Sequence, residues 1–202
     1  MHLSFGTLRL EIFPTVYEPA EDSFLLATYA SSLKGRILEI GTGSGIVALS
    51  AAIADKNSNV LATDINPEAV ACARHNAEAA GAKNCRFMEA NMFSSIPGAD
   101  KFDFILFNPP YLPTTREEKL QLEAENAAYD GGESGLDAFM QFAEQVAAHL
   151  VPGGKVAVIA TSLNDGIKKT LDELEKRVGP AQIRTEESFF FEKICLIEAT
   201  KR

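Results

Sequence analysis

"RILEIGTGSGIVALSAAIADKNSNVLATDI", residues 36–65, decides the fold. Arg36–Ile40 is a short apolar strand and residues 59–65 are a second. Between them stand Gly41, Gly43 and Gly45, then the helix-forming run "SGIVALSAAIADK" at 44–56. A strand, a glycine turn, a helix and another strand make a βαβ unit, whose crossover obliges the two strands to run parallel. Glycines let the backbone turn tightly and approach a ligand, and the helix behind them presents N–H groups towards it.

The same alternation continues on either side. Downstream, "NPEAVACARHNAEAAG" (66–81) carries its own start and stop signals: Asn66 as N-cap, Pro67 at the first helical position and Gly81 at the end. "NCRFMEA" (84–90) reads as a third strand and "FDFILF" (102–107) as a fourth. A helix is expected over 133–151, stopped by "PGG", followed by the strand "KVAVIAT" (155–161) and a helix over "LNDGIKKTLDELEKR" (163–177). The tail "QIRTEESFFFEKICLIEAT" (182–200) reads as two strands with a polar break near Glu186 to Ser188, paired antiparallel because no helix separates them. Upstream, "MHLSFGTLRLEIF" alternates like a hairpin, and "PAEDSFLLATYASSL" (19–33) reads as a helix. These elements predict one α/β domain, with a mostly parallel sheet covered by helices on both faces.

Composition narrows the function. With 46 % hydrophobic residues the chain can build a core. No apolar run reaches the ~20 residues of a membrane span, and the N-terminus lacks the pattern of a signal peptide, so a cytoplasmic location is expected. Cys72, Cys85 and Cys195 are scattered, as are His2, His75 and His149, which predicts neither a disulfide framework nor a metal site. A net charge of −9 points away from a nucleic-acid surface and towards a small-molecule, protein or peptide substrate.

Asp64 closes the second strand about twenty residues beyond the glycine turn, where a carboxylate can accept both hydroxyls of a ribose. A dinucleotide fingerprint would need a glycine at position 46, which is Ile46. The turn together with Asp64 therefore indicates an adenosine-bearing cofactor. Asn91 follows the third strand and is a candidate for the adenine amino group, although a loop asparagine also serves simply to form a turn.

The fourth strand runs into "NPPY", residues 108–111. Methylating an amide or aromatic amine requires its nitrogen lone pair to leave the plane and face the donor. The Asn108 side-chain oxygen and the Pro109 carbonyl can hold the two N–H hydrogens. Pro109 and Pro110 fix the backbone, and Tyr111 offers a flat face for stacking. The plain alternative is a proline-rich strand end with Asn108 capping a turn.

Taken together, "YEPAEDSFLL" (17–26), "LEIGTGSG" (38–45), "TDINPEAV" (63–70), "NPPYLP" (108–113) and "YDGGESGLD" (129–137) resemble the N-P-P-Y methyltransferases. Within them the resemblance is to the HemK-type enzymes that methylate the glutamine of the Gly-Gly-Gln loop of peptide-chain release factors. It implies the Rossmann-like class I methyltransferase fold, a seven-stranded mostly parallel sheet with an antiparallel C-terminal strand. It also implies S-adenosyl-L-methionine as cofactor, with residues 1–34 covering its site and 35–202 as the catalytic core. Glu18, Pro19 and Asp22 would line its methionine end, Glu39, Gly41 and Gly43 would belong to its loop, and Asp64 would bind its ribose. Asn108, Pro109, Pro110 and Tyr111 would grip the target amide, and Asn108 would also contact the cofactor. About sixteen residues precede "YEPAEDS", which is similar to the compact archaeal and eukaryotic branch, whose members commonly form a heterodimer with a small zinc-ribbon activator.

N-P-P-Y is shared with enzymes that methylate adenine N6 or guanine N2, so an exocyclic amino group of DNA or RNA stays open as a target, as does protein lysine. A non-catalytic cofactor-binding subunit and a nicotinamide oxidoreductase are disfavoured by the intact motif and by Ile46 respectively. Between Tyr111 and Gly135, Glu117, Glu118, Glu123, Glu125, Asp130 and Glu133 outnumber Arg116 and Lys119, a balance suited to a basic protein loop or to a solvated helix face.

Overall fold

The computed structural model describes residues 1–111, 134–189 and 192–202, and the chain divides into two compact units, Met1–Ile96 and Pro97–Arg202. The acid-rich stretch after Tyr111 lies outside the described residues.

In the first unit a hairpin comes first, β1 (His2–Phe5) paired antiparallel with β2 (Leu8–Glu11). Helix α1 (Glu21–Ala30) follows, then β3 (Arg36–Ile40), α2 (Ile46–Ala54), β4 (Asn59–Asp64), α3 (Pro67–Ala80) and β5 (Cys85–Glu89). The strands are parallel in the order β5-β4-β3. As the glycine spacing requires, α2 starts on Gly45 in the left-handed conformation (φ 86°). The Asn66 side chain accepts from Glu68 N–H and Gly81 ends α3 left-handed, as their residue types dictate. Ile37, Leu38, Leu49, Val60 and Ala62 are buried in its core.

In the second unit β6 (Phe102–Phe107), α4 (Asp137–His149), β7 (Leu150–Thr161), α5 (Gly166–Arg177), β8 (Ala181–Ser188) and β9 (Lys193–Thr200) follow in turn. Their strand order is β6-β7-β9-β8, with β9 antiparallel to both neighbours. The fold is the expected one, with seven mostly parallel strands, helices around them and an antiparallel C-terminal strand.

Two boundaries depart from expectation. The helix expected to run to "PGG" stops at His149, because Lys201 reaches across and its Nζ donates to the Ala147 and Leu150 carbonyls, while Gly153 and Gly154 already bond to Lys201 backbone. The polar run Glu186–Ser188 is not a break; it is the end of β8, paired with Cys195, Ile194 and Lys193. An edge strand exposed on both faces tolerates polar side chains, so the turn begins only at Phe189, whose N–H donates to the Glu192 carbonyl (2.8 Å).

Candidate active site

The first unit assembles the glycine turn around two carboxylates. Gly41, Gly43 and Gly45 all have positive φ, and Thr42 N–H continues the β3–β4 ladder by donating to the Thr63 carbonyl (2.9 Å). Asp64 leaves the end of β4 half-buried, with Oδ2 accepting from Gly43 N–H and Oδ1 from Asn66 N–H, each at 2.9 Å. A carboxylate offers about four acceptor positions, so acceptor capacity is left for an incoming hydroxyl. Burial raises the Asp64 pKa, against the opposing N–H groups of Asn66, Gly43 and Ile65. Beyond Gly43 there is open space where a side chain would begin.

Glu39 plays a different part. It is 3 % exposed, and its Oε2 accepts from the Thr42 hydroxyl (2.7 Å) and from Ala48 N–H (3.0 Å). Gly45 has no side chain with which to cap α2, and Glu39 caps the third N–H of that helix from the preceding strand. Burial pushes its carboxyl up to about 8, with Asp64 adding to the rise and the Thr42 and Ala48 bonds opposing it.

Asp22 forms a separate cluster at the start of α1, buried, accepting from Ser23 N–H (2.6 Å) and from the Tyr17 hydroxyl (3.2 Å). Pro19 is buried beside it in sequence and Glu18 is exposed. Asn91 is exposed after β5, its carbonyl receiving Ser94 N–H in a turn, while the neighbouring Ala90 N–H donates to the Asp64 carbonyl (2.8 Å). Sequence reasoning passed over Ile65, which is 52 % exposed directly after Asp64; a large apolar side chain at the carboxyl end of a parallel strand was the available signal.

In the second unit, Asn108–Tyr111 leave the end of β6, with Pro109 buried and the other three half-buried. Pro109 and Tyr111 line a small, mainly apolar pocket with Leu136, Phe139, Ile159 and Leu163. None of these wall residues was singled out beforehand, since each reads simply as core. No group of His, Cys, Asp and Glu suited to a metal is present among the described residues.

Parallel strands with a glycine turn after one and a carboxylate ending the next define a nucleotide-type site of the class I methyltransferase fold. Solved structures agree on that fold. A methyltransferase from Pyrococcus furiosus matches with a TM-score of 0.69 at 24 % identity, over 96 % of this chain and 90 % of that one. The ribosomal protein L11 methylase of Lactobacillus delbrueckii matches with a TM-score of 0.66 at 20 % identity, over 96 % and 86 %. The methyltransferase small domain model matches residues 20–190, and the chain belongs to that family. It is an S-adenosylmethionine-dependent methyltransferase of the N-P-P-Y, HemK type. A protein of Methanocaldococcus jannaschii, named provisionally as a protein N5-glutamine methyltransferase, is 37 % identical over 98 % of each chain. The release factor glutamine methyltransferase of Deinococcus radiodurans is 39 % identical over 60 % of this chain and 44 % of its own length. The chain thus spans about half the length of such bacterial relatives.

The residues present suit the methyl donor. The turn is open at Gly43, Asp64 keeps acceptor capacity, and Ile65 offers an apolar surface.

Proposed function

We propose that this enzyme methylates the side-chain nitrogen of a glutamine in the Gly-Gly-Gln loop of a class I release factor. What carries the reading is the end-to-end match with the archaeal relative, together with an intact N-P-P-Y at the end of β6. Bound S-adenosylmethionine supplies a methyl group on a positively charged sulfur. Asp64 would hold the ribose hydroxyls, Gly41 and Gly43 would let the backbone approach, and Glu39 would keep the turn in shape from beneath. Ile65 would cover the adenine, with Asn91 at its amino group, and Pro19, Asp22 and Glu18 would line the amino-acid end.

Asn108 Oδ1 and the Pro109 carbonyl accept the two amide hydrogens and turn the nitrogen lone pair out of the amide plane, while Tyr111 stacks on the planar group. The nitrogen would gain an N–CH3 bond as the methyl's bond to sulfur breaks, the bonding pair leaving with sulfur as a neutral thioether, and would give up one proton to water. The motif needs no strong base, because the nitrogen sheds its proton readily once methylated.

A small zinc-ribbon partner forms part of the proposal. β5 is the edge strand of the first unit, and strand addition there is one route for docking. Arg74 Nη2 already donates to the Phe87 carbonyl of that edge (2.7 Å), so an added strand must displace it or pair beyond it. A cytoplasmic location accords with a release factor substrate. No helix among the described residues is long and apolar enough to cross a membrane.

The test is methyl incorporation from labelled cofactor into a release factor, with and without the activator. Label should enter wild-type factor, be absent when the loop glutamine is alanine, and fall about a hundredfold with Asn108→Ala. Cofactor binding without any labelled release factor would overturn the substrate and turn attention to nucleic-acid amino groups.

A further inference from the structure

Asn76, on the inner face of α3, is 1 % exposed and uses its amide fully. Its Oδ1 accepts from Glu11 N–H (2.8 Å). Its Nδ2 donates to the Glu11 carbonyl (3.0 Å) and to the Ser44 carbonyl (2.9 Å). One side chain therefore pairs with β2 as a neighbouring strand would and holds the backbone of the glycine turn at the same time. Three residues earlier on the same helix face, Ala73 lies under Gly45, where an added Cβ would come within 3.0 Å of the Ala73 Cβ. The turn thus rests on α3 at two successive points, Gly45 on Ala73 and Ser44 on Asn76.

The hairpin is fastened to the same helix elsewhere. His75 Nε2 meets Glu11 Oε2 at 2.9 Å, Cys72 Sγ donates to the Glu11 carbonyl (3.2 Å), and Asn66 Nδ2 donates to the Thr15 carbonyl (3.2 Å). Phe5 stacks on Phe24 of α1 at 5.5 Å. Of these contacts, Asn76 alone reaches the glycine turn as well. Without its amide, the Glu11 N–H, the Glu11 carbonyl and the buried Ser44 carbonyl would all lose a partner, and leaving a buried group unpaired costs more than its bond contributes.

We propose that Asn76 is a positioning residue that couples docking of the N-terminal hairpin to the shape of the glycine turn, so that the hairpin forms part of the cofactor site. The inference rests on reading that turn as the cofactor loop. Coupling is reciprocal: whatever holds the hairpin tightens cofactor binding, and bound cofactor holds the hairpin.

Hydrogen exchange on the ligand-free protein tests the coupling first, read at Gly45 and Ile12, whose N–H groups bond to Thr42 and Met1 and not to Asn76. In Asn76→Ala both amides should exchange at least about tenfold faster. Asn84→Ala is the control. It loses three bonds to the Ala52, Asp55 and Ser58 carbonyls at the far end of α2, and should lower Tm while leaving Gly45 and Ile12 slow. Calorimetry with S-adenosylmethionine should then give a Kd about tenfold weaker for Asn76→Ala and unchanged for Asn84→Ala, with kcat the same in all three. In the wild type, saturating cofactor should slow exchange at Ile12. Equal loosening of Gly45 and Ile12 in both variants, or an Ile12 amide indifferent to bound cofactor, would overturn the proposal. If the wild type bound no cofactor, the reading of the loop would fall, and the ligand-free exchange would still decide the coupling.

Discussion

Replacing Glu39 by glutamine should turn a pH-dependent protein into one much less so. Its carboxyl titrates at about 8 in the folded chain against 4.5 when free. At about 1.4 kcal/mol per pH unit, that difference of roughly 3.5 units corresponds to about 5 kcal/mol. The sign follows from proton binding. Between about pH 4.5 and 8 the folded state holds a proton that the unfolded state has lost, so this contribution is fully present below 4.5 and disappears as pH rises through 8. Glutamine keeps an oxygen for the Thr42 hydroxyl and Ala48 N–H and never ionises. Urea unfolding from pH 5 to 9 should find the two proteins nearly equal at pH 5. They should diverge steadily, with Glu39→Gln more stable by up to about 5 kcal/mol at pH 9. Parallel curves would refute the reasoning, as would a glutamine variant already several kcal/mol weaker at pH 5, because the carboxyl would then not be the neutral brace inferred from its burial.

Two glycines of the turn should separate stability from binding. Gly45→Ala must adopt φ 86° and press on Ala73, costing about 3 kcal/mol in thermal or urea unfolding, whereas Gly43→Ala meets no neighbour and should cost about 1 to 2 kcal/mol. Cofactor titration should nonetheless show the larger loss of affinity for Gly43→Ala, whose methyl fills the open approach. Ile65→Ser, on an exposed side chain, should leave Tm within about 1 °C and weaken cofactor binding about tenfold, read by calorimetry. Methylation of the release factor should change only modestly between 50 and 200 mM salt, whereas a nucleic-acid substrate would lose affinity log-linearly over the same range.

The sequence exposed most clearly whatever depends on near neighbours. β6 spans the same residues as the apolar run that predicted it, and α3 starts and stops on the Asn66 and Gly81 signals, because caps and buried strands are local choices. Long-range partners moved the other limits. α4 stops early under a lysine from the far C-terminus, and β8 keeps its polar end because it lies at an edge. The site divided along the same line. The places of Asp64 and the glycines at the strand ends were legible from their spacing, whereas the brace that Glu39 makes to Thr42 and Ala48 was not, because spacing does not show which way a strand side chain turns. Asn76 carried no signal, for its partners lie 65 and 32 residues away.

On the proposed reading the N-P-P-Y motif would grip any planar amino group, which specifies the chemistry and leaves the substrate open. Selectivity must come from the walls beside it. The side chains that share the pocket with Pro109 and Tyr111 are mainly apolar (Leu136, Phe139, Ile159 and Leu163), its polar ones are the neutral hydroxyls of Thr161 and Thr170, and among the described lining residues no cation stands to receive a phosphate. A nucleotide entering there would bring a charged backbone to described lining residues that offer it no neutralisation, within a chain of net charge −9. A glutamine flanked by glycines brings a neutral amide and almost no side-chain bulk. It can enter a narrow apolar pocket without desolvating a charge, and that difference in desolvation favours the peptide amide over the base.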